Sequence, residues 1–207
     1  LLAILALTQI FPPCVQAQAR TNTPFGCIFT PQHYPNISWM DIWQAMLELA
    51  TVGSHVSYMW HWEDGTEIYW LIRNLNPYWR LLRLKTFLQM GIAVIGQIAP
   101  PSGLPRSFAD SQVRDRYLQD VSRLANLRPE YLNIGSEINL VYYLNQSEFY
   151  HFVSLYKEAY YQIKSISPNT KVGVSYHLDL FFGDIEFSLI ETLDPQDFIG
   201  FTTYPAW

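Results

Sequence analysis

The sequence predicts an α/β fold, a (β/α)8 TIM barrel that is incomplete, with about six β/α units present and strands seven and eight missing. Three observations carry this. Short β-rich runs alternate with helical patterns from Pro24 onward, with no repeat, low-complexity tract or internal linker. The first strand is followed by "TPQHYPNIS", which lacks the glycine-rich turn of a doubly wound nucleotide binder. Polar and aromatic residues gather after many strands, as at a barrel rim, rather than after one or two.

The first strand reads as "FGCIF" (Phe25 to Phe29), and Ser38 with Asp41 reads as a capping box. Trp39, Ile42, Trp43, Met46 and Ala50 then recur at helical spacing. "HVSYMW" (His55 to Trp60) is the second strand. Asn76-Pro77 is expected to open a helix as N-cap and first residue, with Leu81, Leu82, Lys85 and Leu88 on it and Gly91 ending it. The apolar run Ile92 to Ala99 is then the third strand, of the kind buried on both faces. Val113, Tyr117, Val121 and Leu124 mark the next helix, and "YLNIG" from Tyr131 the fourth strand. Asn145 caps a helix whose stripe is Phe149, Phe152, Val153, Tyr156, Tyr160 and Ile163. "VGVSYH" (Val172 to His177) and "FIGFTTY" (Phe198 to Tyr204) are strands five and six, with a short helix around Ile185 to Leu193 between them.

Residues 1–19 are expected to be a secretory signal peptide, N-terminally clipped. An apolar run leads to Ala17-Gln18-Ala19, but neither an initiating Met nor a basic n-region precedes it. The run is too short for a bilayer span, which wants roughly 20 apolar residues. The mature product, 20–207, is expected to be secreted or periplasmic and not membrane-bound after cleavage. Cys14 would leave with the signal and Cys27 would stay unpaired, so no disulfide framework is expected. Asn36-Ile37-Ser38 and Asn145-Gln146-Ser147 are acceptor sequons, relevant to a eukaryotic secretory route. A net charge of −5 without a basic run argues against a nucleic-acid partner. The oligomeric state is not legible.

The functional signal lies just past the strand ends. His33 and Tyr34 come after the first strand; Trp60, His61, Trp62, Glu63 and Asp64 end the second. Ser136, Glu137 and Asn139 come after the fourth, Tyr176, His177 and Asp179 at the fifth, Tyr204 and Trp207 at the sixth. In a barrel these ends converge on one face. Carboxylates, imidazoles and indoles with few Lys or Arg suit a neutral polyhydroxylated ligand, a poly- or oligosaccharide, better than a phosphorylated one. Trp60 and Trp62 share a parity, so they either flank a cleft or pack beneath the loops. His177 either lines the sugar site or is hydrogen-bonded within the barrel top. His61, Glu63 and Asp64 lack a recognisable ligand spacing, so no metal and no cofactor is expected.

"IGSEIN" on the fourth strand and "DFIGFTTYPAW" on the sixth resemble clan A glycoside hydrolases, most of all the family 53 endo-β-1,4-galactanases. Those carry a "GNE" signature on strand four and a Tyr-Pro-x-Trp ending on strand six. The resemblance covers the last third of the chain. It implies that Glu137 is the general acid/base of a retaining β-glycosidase, and that the nucleophile comes from strand seven. Tyr204 would hydrogen-bond that nucleophile, and Trp207 would form part of the sugar platform. Ser136 stands where the clan carries an Asn that contacts the sugar 2-hydroxyl. The chain ends at Trp207, so the 207-residue piece is expected to be inactive alone. Two other readings stand beside this one: a non-catalytic carbohydrate-binding barrel, kept open by Ser136, and an unrelated β/α-barrel enzyme sharing a glutamate after strand four.

Overall fold

The computed structural model describes residues 26–28, 38–62, 65–92, 107–180 and 184–203. Six strands form one sheet: β1 (Gly26–Ile28), β2 (His55–His61), β3 (Lys85–Gly91), β4 (Tyr131–Ser136), β5 (Lys171–His177) and β6 (Phe198–Thr202). Their spatial order equals their chain order, and every neighbouring pair is parallel. Between them run α1 (Trp39–Val52), α2 (Gly65–Leu81), α3 (Ser111–Asn126), α4 (Ile138–Leu144), α5 (Gln146–Ile166) and α6 (Asp184–Thr192). This is an incomplete (β/α) barrel, as the alternation predicts.

Most elements form where the residue pattern places them. The capping box at α1 is present in both directions: Asp41 N–H donates to Ser38 Oγ at 3.2 Å, and Ser38 N–H to Asp41 Oδ2 at 2.8 Å. Asn145 caps α5 by accepting from Glu148 N–H. The helical stripes of α3 and α5 are buried against the outer faces of β4 and β5, where Leu132, Ile134, Val172, Val174 and Tyr176 are fully enclosed.

The region between residues 65 and 99 differs from the sequence reading. Asn76-Pro77 does not open a helix; it lies inside α2. Pro77 removes one helical donor, a cost of about 3 kcal/mol. Burial of Ile72, Leu75 and Trp79 on both sides of it outweighs that. Asn76, rather than capping, donates its side-chain amide to Leu127 O at 3.0 Å. The third strand is Lys85–Gly91, not Ile92–Ala99, of which residues 93–99 lie outside the described residues. Arg83, at φ 59°, turns the chain out of α2, and Leu84 N–H donates back to Trp79 O at 2.9 Å. The helical spacing through Leu88 and the stop at Gly91 were coincidental: Thr86, Leu88 and Met90 are buried with a period of two.

The sheet curls. Phe87 on β3, Tyr131 on β4 and Phe198 on β6 meet edge to face on the inner surface, with ring centroids 5.6–5.8 Å apart. Phe198 reaches Phe87 across three strand intervals, which a flat sheet forbids. Gly173 makes room for this, because a Cβ there would come within 2.2 Å of the Phe198 carbonyl oxygen.

Candidate active site

The inner face changes character along the strands. Above the aromatic layer lie Ser57, Gln89, Asn133 and Ser175, small or polar, with Gln89 Nε2 donating to Ser57 Oγ at 2.6 Å. Beyond these, at the C-terminal ends, come Ser136, Glu137, His177 and Thr202.

A bulge in β4 sets this top layer. Gln89 pairs with Asn133 but Gly91 with Ser136, so Ile134 and Gly135 together oppose Met90. The bulge is held from behind by the Tyr117 hydroxyl, which donates to Ile134 O at 2.5 Å. Complete burial pushes the Tyr117 phenol well above its ordinary range, so it stays a donor. From the front, Asn133 consumes its whole amide locally. Its Nδ2 donates to Ser136 Oγ at 3.1 Å and to Ser175 Oγ at 3.0 Å, and its Oδ1 accepts from Gly135 N–H at 3.1 Å.

Glu137 comes directly after, at φ 58° and ψ 42°, the left-handed region. Arg83 and Arg128 also have positive φ, but they close α2 and α3, where that conformation is a usual helix ending. Glu137 instead precedes a helix and gives α4 no side-chain cap. A non-glycine residue there costs roughly 1–2 kcal/mol. The turn aims its half-buried carboxyl group at β6, where the Thr202 hydroxyl donates to Glu137 Oε1 at 2.7 Å. The backbone N–H of Glu137 donates to Ser175 Oγ at 3.3 Å.

His177 is held by its backbone. The buried Asn139 side chain accepts from His177 N–H at 2.8 Å and donates to His177 O at 3.0 Å. That amide replaces the β4–β5 ladder, whose register pairs end at Asn133 and Gly173. His177 Nδ1 lies 3.8 Å from Asp179 Oδ2, and Thr203 donates to Asp179 Oδ1 at 3.3 Å.

The structure therefore brings together Ser136, Glu137 and His177 of the expected site. It places Trp62 elsewhere. This indole is buried between Phe108 and Tyr117 on the helical side and donates to Asp120 Oδ2 of α3 at 3.0 Å. Trp62 lies one residue beyond β2, so strand parity with Trp60 no longer governs it. The backbone of Trp60 pairs with Met90. Tyr204 and Trp207 lie outside the described residues, as do His33, Tyr34, Glu63 and Asp64. Among the described residues no group of three His, Cys, Asp or Glu side chains is placed to hold a metal ion, and no helix is long and apolar enough to cross a membrane. Thr202 and Asn133 escaped the sequence reading. "FTTY" offers two adjacent threonines, and only the inward alternation of Phe198, Gly200 and Thr202 tells them apart.

No family model matches the chain, and no curated protein matches it. Solved structures do. A β-glycosidase, BGL167, superposes with a TM-score of 0.52 at 12% identity, covering 77% of this chain and 53% of that one. The AHE enzyme from Alicyclobacillus herbarius gives 0.51 at 11% identity, covering 77% and 53%. The chain folds as part of a TIM barrel. It spans about half the length of the solved structures it matches. The likeness is one of fold; it does not single out the family 53 galactanases.

Proposed function

We propose that this chain carries the acid/base half of a retaining glycoside hydrolase acting on β-linked poly- or oligosaccharide. The observation that carries the reading is Glu137, at the C-terminal end of β4, in a strained turn, with its carboxyl group fixed by Thr202 across the curl of the sheet. Catalytic groups of barrel enzymes come from the C-terminal ends of strands. The fold shared with a β-glycosidase and the "IGSEIN" resemblance support the same assignment.

In this reading Glu137 first protonates the departing glycosidic oxygen. Deprotonated, it then takes a proton from the water that cleaves the glycosyl-enzyme. The nucleophilic carboxylate sits about 5–5.5 Å away. By resemblance it comes from a seventh strand, with Tyr204 beside it and Trp207 on the sugar platform. Residues 1–19 act as a secretory signal, making the product secreted or periplasmic. The test is Glu137→Ala in the full-length protein, assayed on β-galactan, β-mannan and β-glucan. Turnover of poor leaving groups is expected to fall by about 10²–10⁴-fold, while on activated aryl glycosides, which form the glycosyl-enzyme without protonation, azide is expected to replace the water and release glycosyl azide. Unchanged turnover would sink the assignment.

Ser136 favours a second reading, a carbohydrate-binding barrel without catalysis. Its hydroxyl already accepts from Asn133, and it is shorter than the Asn that would contact the sugar 2-hydroxyl. That reading predicts sugar binding without turnover, and a residue other than Glu at the end of strand seven.

A further inference from the structure

We propose that Thr202 is a positioning residue for Glu137, a hydroxyl that reverses its hydrogen bond as the carboxyl group gains and loses its proton. This rests on the acid/base reading of Glu137. Thr202 Oγ1 lies 2.7 Å from Glu137 Oε1 and 3.4 Å from Tyr176 O. A hydroxyl has one proton to donate and lone pairs to accept with. Against an ionised Glu137, Thr202 donates to the carboxylate in a short, charge-assisted bond. Once Oε1 carries a proton, the carboxyl O–H becomes the donor, Thr202 Oγ1 accepts, and the Thr202 proton turns to the Tyr176 carbonyl. No proton passes through Thr202; only its orientation changes. Both protonation states of the catalytic cycle are thus satisfied without moving the carboxyl group.

The geometry favours this over a merely structural bond. Thr202 sits on β6 and Glu137 at the end of β4, so the bond passes over β5 and depends on the curl of the sheet. The alternative acceptor is a β5 main-chain carbonyl, which is fixed in place and always an acceptor. A lysine or arginine here would favour one protonation state; a hydroxyl serves both. Nearby at this end, Asp179 Oδ2 lies 3.8 Å from His177 Nδ1, and Asp179 Oδ1 accepts from the Thr203 hydroxyl at 3.3 Å.

The test uses the full-length protein. Thr202→Val removes the hydroxyl at nearly constant shape, and Thr202→Ser keeps it. The valine variant is expected to lose about 10–100-fold in kcat on substrates with poor leaving groups, with KM within about twofold. Aryl glycosides whose leaving group needs no protonation are expected to be far less affected. The serine variant is expected to return to within about threefold of the parent. A second readout needs no activity. The Glu137 carboxyl carbon resonance, assigned by its disappearance in Glu137→Gln, is expected to shift in Thr202→Val and to return in Thr202→Ser. An unmoved resonance, an equal loss on all leaving groups, or no recovery with serine would each overturn the proposal. A shifted resonance with Glu137→Ala fully active would instead overturn the acid/base reading and leave the contact standing.

Discussion

The two ends of this barrel wall are built from the same strands and treat their carboxylates in opposite ways. At the N-terminal end Glu130 accepts both the backbone N–H and the hydroxyl of Thr86, at 2.7 and 2.9 Å. Asp197 there accepts from Val172 N–H at 2.9 Å and from the Tyr160 hydroxyl at 3.1 Å, and pairs with Lys164 at 2.5 Å. These acids tie loops to strands around an aromatic plug. At the C-terminal end Glu137 occupies a costly backbone conformation and faces a hydroxyl able to donate or accept. At one end the carboxylates are locked into contacts between strands and loops; the other is the end from which barrel enzymes draw their catalytic groups.

The two ends should respond in opposite ways when one residue is substituted in each. If the proposed acid/base role holds, Glu137→Ala in the full-length protein is expected to remove most turnover, by about 10²–10⁴-fold, while moving the urea midpoint little. Gly173→Val is expected to do the reverse, costing about 3 kcal/mol in urea unfolding because its side chain meets the Phe198 backbone. A glycine variant that unfolds no earlier than the parent would show that the aromatic plug contributes nothing to stability.

A smaller effect comes from acid. Burial pushes the Asp197 carboxyl up, but the Lys164 ammonium, the Val172 N–H and the Tyr160 hydroxyl outweigh it and hold it below the ordinary range. A folded value below the unfolded one contributes stability that is present above the unfolded pKa, about 3.9, and is lost as pH falls through the folded pKa. Urea midpoints between pH 5 and pH 2 should therefore fall more steeply for the parent than for Asp197→Asn. Parallel curves would show that the clamp carries no linkage. The smallest effect sits at the other end. Glu137→Gly should be more stable than Glu137→Ala by about 1 kcal/mol, since glycine accepts positive φ without strain.

Legibility tracked the kind of physics involved. The Ser38 box, the Asn145 cap and the stripes of α3 and α5 depend on neighbours within a few turns, so the residues announce them. The β3 region did not, because Pro77 and Gly91 carry local meanings that burial of Trp79, Leu88 and Met90 overrides. The short helix α4 went unseen because its start, Glu137, is no capping residue and its backbone turn depends on the bulge before it. Within the site, the type and strand-end address of Glu137 were readable. Thr202, 65 positions away, was not, since nothing local marks it.

By itself the sequence determined the alternation of strands and helices, the parallel sheet this implies, and the placing of a glutamate at the end of the fourth strand. These come from side-chain periodicity and local capping, which act along the chain. Tertiary structure alone decided which face each side chain meets. Curling the sheet set Phe198 against Phe87, turned Trp62 into the helical layer, and carried the Thr202 hydroxyl over β5 to Glu137. Those contacts come from closing distant strands around one packed interior, a condition that no short stretch of residues can express.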